Sequence, residues 1–69
     1  MADDRMIGKM GRVSGRIKPG SIGEVMVPVR GGTEHFHAYA AEAGEEIPTG
    51  ESIVVVEYHP PRTVVVTRM

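Results

Sequence analysis

The segment His35-Phe36-His37 sets two imidazoles two positions apart. In a strand that spacing puts both rings on one face. There they could share a metal ion, with Glu34 or His59 as a further ligand. A metal centre needs three or four converging donors, each held by partners of its own. Only the pair is visible, so both histidines are read as solvent-facing strand residues and no metal is expected. Ser14, Ser21 and Ser52 lie outside any Gly-x-Ser-x-Gly elbow that would expose a nucleophile. Gly8-Lys-Met-Gly11 lacks the length and the closing Lys-Ser/Thr of a phosphate loop. Glu45 and Glu46 fall in a loop and read as a solvated turn. The chain has no cysteine, which removes disulfides and thiolate zinc sites. A chain of 69 residues also has little room for a cleft that excludes water. The expectation is a protein without a cofactor and without enzymatic activity.

Charge bears on the next possibility, a nucleic-acid partner. Eight Lys and Arg stand against nine Asp and Glu, a formal charge of −1, so no global attraction to polyanions is expected. Residues 1–18 are basic, with Arg5, Lys9, Arg12, Arg16 and Lys18, while residues 19–60 carry all seven Glu and only Arg30. A single-strand binder combines stacking aromatics with a basic groove. Here there are one Phe and two Tyr. His35, His37 and Tyr39 could form a modest platform, with Arg12 and Arg16 beside it if the first strand lies alongside. The negative charge and the lack of an RNA-recognition signature weigh against it. A single-stranded nucleic-acid-binding domain is therefore the alternative function, and nucleic acid is a disfavoured partner.

The elements that carry these residues follow from composition and alternation. Ten Val and five Ile occur without a single Leu. Branched side chains favour strands, and a helical core without Leu would be unusual. Lys9 to Lys18 alternates, with Gly11, Val13, Gly15 and Ile17 on one face. Its inward glycines suggest a bulge or a close backbone approach, and Pro19-Gly20-Ser21 ends it. Gly23 to Arg30 turns Val25, Val27 and Val29 inward. Gly31-Gly32 is a hairpin signal leading into Thr33 to Ala40, with Phe36, Ala38 and Ala40 sharing a face. Residues 40–44 could form one helical turn closed by Gly44, and residues 45–50 form a loop whose Gly50 takes a positive φ. Glu51 to Tyr58 and Thr63 to Thr67 are the last strands, joined through the stiff turn His59-Pro-Pro-Arg62.

Five short strands suggest a single all-β domain over residues 9–69, a small five-stranded OB-fold-like barrel, preceded by a flexible segment over residues 1–8. Closure removes the exposed edges that an open sheet of this size would carry. Its interior would be Val25, Val27, Val29, Val55, Val64 and Val66, completed by Val13, Ile17, Ile53 and Phe36. Val54, Val56 and Val65 are surplus to that interior. Together with Met26, Tyr39 and Tyr58 they would suit a partner surface, a second copy of the chain included. No run approaches the ~20 apolar residues of a membrane span, so no insertion by this segment is expected.

One ordered set of features runs along nearly the whole chain. It comprises Gly8-Lys-Met-Gly-Arg-Val-Ser-Gly-Arg-Ile-Lys-Pro-Gly20, Gly23-Glu-Val-Met-Val, Phe36-His-Ala38, Ile47-Pro-Thr-Gly50, Ile53-Val-Val-Val-Glu57 and Val64-Val-Val66. Over about residues 8–67 it resembles the C-terminal domain of NfeD-type proteins. The resemblance implies an OB-fold barrel and association with membrane proteins of the stomatin/flotillin (SPFH) group. In many such proteins the domain follows transmembrane helices, so the implied location is the cytoplasm or the membrane surface, with a parent protein as the anchor. Some long members carry a serine-protease domain. This chain has no counterpart to it, and no catalytic residue is carried over. The function expected is a non-catalytic interaction module that docks a stomatin/flotillin-like partner. The residues expected on its contact surface are Arg12, Arg16, Met26, Arg30, His35, His37 and Tyr39.

Overall fold

In a computed structural model, which describes residues 4–29 and 31–69, the alternating valines become the lining of a barrel. The strands are β1 (Met10–Gly15), β2 (Gly23–Val29), β3 (Gly32–Ala40), β4 (Ser52–His59) and β5 (Thr63–Arg68). They close in the order β1-β2-β3-β5-β4, with β4 returning to β1. Neighbours are antiparallel except β3 and β5, which run parallel from His37↔Thr63 to Ala40↔Val66. The expected all-β barrel is therefore the architecture found.

Alternation placed the interior well. Val13, Ile17, Val25, Val27, Phe36, Ile53, Val55, Val64 and Val66 are all buried, and Val29 packs half-buried against them. Three further side chains complete the core: Met6, Ala38 and Ile47. Short branched side chains suit this interior because the walls lie close. A Cβ on Gly11 would run into the Met26 carbonyl oxygen and lie 3.0 Å from Val27 Cγ2. Gly11 thus marks a close approach, as its inward position suggested, whereas Gly15, expected inward too, faces the exposed Glu24, whose Cβ would lie 3.3 Å from one on Gly15. The ladder to β2 also slips between Val13 and Gly15, a bulge that adds Ser14 and bends the strand.

Several local readings differ from the structure. Residues 40–44 make no helical turn. The chain bends there, with Glu45 N donating to Glu42 O at 3.1 Å, because Ala41 N is already committed to Val66 O at 2.8 Å and extends the sheet. The hairpin turn does not fall on Gly31-Gly32: Val29 pairs with Gly32, which opens β3. The flexible lead-in expected over residues 1–8 does not describe its last residues. Asp4–Met6 form a short 3-10 turn, Met6 is 5% exposed, and Gly8 N donates to Val55 O at 2.8 Å. Residues 1–3 and Arg30 lie outside the described residues.

The long connection between β3 and β4 is held from two sides. Ile47 exchanges both backbone hydrogen bonds with Ile17, at 2.8 and 3.0 Å. From β5, Arg68 Nε reaches Glu45 Oε2 at 3.2 Å, Nη2 donates to the Glu46 carbonyl at 2.9 Å and Nη1 lies 3.6 Å from Glu51 Oε1. Arg68→Ala is expected to lower stability by about 1 kcal/mol, since the network is partly exposed. Urea unfolding at low and at molar salt checks this, because the loss should shrink as screening rises.

Candidate interaction surface

Outward residues on neighbouring strands fall into rows set by the register. Ser52 of β4 is opposite Arg12 of β1, Arg12 is opposite Met26 of β2, and Met26 is opposite His35 of β3. Three of the expected surface residues thus stand side by side. The next row carries Gly15, Glu24, His37 and Thr63. Beyond it Tyr39 is opposite Val65, which is opposite Glu57. His37 and Tyr39 therefore continue the face along β3. Arg16 does not join it: its guanidinium pairs with Glu46 at 3.4 Å, at the loop end of the barrel. Arg30 lies outside the described residues.

Two hollows open on the outside of the barrel. One, of about 440 Å³, runs over β1 and β2. Met10, Met26, Pro28 and Met69 wall it, and Arg12, Thr33 and Ser52 supply its polar groups. Reading the chain missed Met10, Pro28, Thr33, Ser52 and Met69 as lining. The available signal was five methionines in a chain without leucine. The second hollow, of about 580 Å³, lies between the β1–β2 and β3–β4 connections beside Ile22 and Tyr39, which are 46% and 49% exposed. The surplus valines are only partly available: Val54 and Val65 are half-buried and Val56, the bulge residue of β4, is exposed.

The platform considered for single strands is present only in part: His35, His37 and Tyr39 share the exposed outer face of β3, but nothing further builds on it. Phe36 is core, under the Arg62 guanidinium at 5.5 Å and edge-on to Tyr58. The Tyr58 hydroxyl donates to Pro61 O at 3.1 Å. Tyr39 is thus the one exposed ring among the Phe and Tyr residues, with the His35 and His37 imidazoles along the same strand. The first strand lies beside β2 rather than β3, so Arg12 and Arg16 do not flank the histidines as that reading required. Nor do three or more His, Asp or Glu side chains converge to hold a metal among the described residues. His59 instead meets Glu57 at 3.0 Å.

A five-stranded barrel closed in this strand order around an aliphatic core belongs to the OB class of small β-barrels. Within that class the chain belongs to the NfeD C-terminal domain family, whose model matches residues 10–67. The solution structure of the soluble domain of the NfeD protein YuaF from Bacillus subtilis superposes with a TM-score of 0.80 at 26% identity, over 94% of this chain and 75% of that one. The C-terminal domain of stomatin operon partner protein 1510-C from Pyrococcus horikoshii superposes with a TM-score of 0.72 at 32% identity, over 100% of this chain and 95% of that one. A search of curated proteins finds no match.

Proposed function

We propose that this barrel is a non-catalytic interaction module that docks a membrane-associated stomatin/flotillin-like protein through the outer face of β1, β2 and β3. The observation that carries the reading is the continuous row Ser52, Arg12, Met26 and His35 beside a methionine-walled hollow. Such a row joins apolar area to directional polar groups, the combination that interfaces use. The name of the archaeal relative, a stomatin operon partner, supports the class of partner. No helix among the described residues is long and apolar enough to cross a membrane, so in this reading the barrel meets its partner at the membrane surface and a parent chain provides any anchor. Titrating the isotope-labelled domain with the soluble part of a stomatin-type protein from the same genome tests the proposal. Amide shifts at Arg12, Met26, His35, His37 and Tyr39 are expected. A spectrum unchanged at saturating partner would end it.

A further inference from the structure

We infer that the hollow over β1 and β2 receives a segment of a partner protein in which one carboxylate is flanked by large apolar side chains. The inference rests on the reading of the barrel as an interaction module and names what its groove recognises. Three of the four described methionines, Met10, Met26 and Met69, converge on this groove, and the fourth, Met6, is in the core. In a chain whose interior is mostly stiff branched residues, three of these long flexible apolar side chains stand outside it, at one spot. Met10 and Met69 are 57% and 67% exposed there. Unbranched thioethers adapt to varied apolar partners, which is why they recur on binding surfaces. A volume of about 440 Å³ admits a few side chains, far more than an ion needs.

Arg12 supplies the specificity. Its side chain is the sole charged one lining the groove. Its Nη1 donates to the Gly50 carbonyl at 3.3 Å, and no described carboxylate pairs with it. By contrast Arg16, Arg62 and Arg68 each have a carboxylate oxygen between 3.2 and 3.6 Å away. A guanidinium has five donors in a planar fork that matches a carboxylate, and most of this fork is free. A second copy of the chain is a poor occupant. A two-fold contact through the groove would set one Arg12 against the other, with no acidic side chain in the lining to neutralise them. A phosphate backbone needs a track of cations, and the groove offers one.

The test is a titration of the labelled domain with three capped peptides, in which Asp, Asn or Lys sits between pairs of leucines. The Asp peptide should shift the amides of Met10, Arg12, Met26, Thr33 and Ser52 and the Arg12 side-chain N–H. The Asn peptide should bind about fivefold to tenfold more weakly, and the Lys peptide more weakly still. Arg12→Gln should bring the Asp peptide down to the Asn value and leave the Asn value unchanged, while Met26→Ser should weaken all three. Equal binding of Asp and Asn peptides, or shifts outside the groove, would overturn the inference. So would groove shifts that grow with protein concentration in the absence of peptide, which would make the occupant a second copy. If the stomatin-type protein shifts His35, His37 and Tyr39 on that outer face but leaves the groove amides unmoved, the inference fails and the proposed function stands. If the peptides bind as expected and that protein does not, the reverse holds.

Discussion

Gly23→Ala is expected to leave the domain largely unfolded at room temperature. Gly23 opens β2 directly beneath the end of β1, where the chain turns back on itself. A Cβ placed there would run into Ile17 Cγ1 and sit 2.7 Å from the Gly15 carbonyl oxygen and 2.9 Å from that of Arg16. Two of those three atoms are backbone, so no rotamer change relieves the contact. The strand itself would have to move, against Ala38, its fully buried partner on β3. Overpacking of this kind costs about 3 kcal/mol or more. A domain of this length has roughly 3–10 kcal/mol in total. Urea unfolding followed by circular dichroism should show no native baseline for the variant. Gly32→Ala is the control. Nothing lies within 4 Å of its missing Cβ, and stability should hold or rise by about 0.5 kcal/mol. A Gly23→Ala midpoint close to the parent's would mean that the end of β1 can lift away from β2 without harm.

Ile47→Ala should cost about 2–4 kcal/mol, as much as truncating any residue of the strands. Ile47 lies outside every strand, yet it is completely buried and bridges to Ile17 through both backbone hydrogen bonds. Removing its side chain opens a cavity against Ile17 and loosens the connection that Arg68 clasps from the other side. The same measurement on Ile22→Ala, at a residue 46% exposed, should show a change below about 0.5 kcal/mol. Equal losses at the two sites would mean that the β3–β4 connection is a passive loop.

These two residues mark where the chain could and could not be read. Period-two alternation shows which valines face inward, because only one face of each strand can be buried, and it located Val25, Val27, Val55, Val64 and Val66 correctly. Ile47 belongs to no alternating run. Its burial comes from a loop folding across the end of the barrel, which only the closed structure creates. Met6 was missed for the same reason, since the turn that tucks it in is fixed by Gly8 N bonding to Val55, far along the chain. The candidate surface divides similarly. Arg12, Met26 and His35 could each be read as outward, but their standing in one row depends on strand order and on the register set by the bulge at Ser14. Arg16 lies two positions beyond that bulge, beside the loop, where Glu46 takes it. The Met10 and Met69 walls of the groove come from opposite ends of the described chain and meet only when β4 closes on β1.

That closure also governs the chain's behaviour outside its native state. Ile53–Val56 and Val64–Val66 are short, uncharged, β-branched runs of the kind that stack into cross-β aggregates. In the barrel β4 is flanked by β1 and β5, and β5 by β3 and β4, so neither run offers an open edge to another molecule. Glu51 and Glu57 bracket the first run and Arg62 and Arg68 the second, charges that act as gatekeepers when the chain is open. The seam between β1 and β4 is thus a guard against self-templating. A variant that parts it bares the edge of β4, and with it the most adhesive stretch of the sequence.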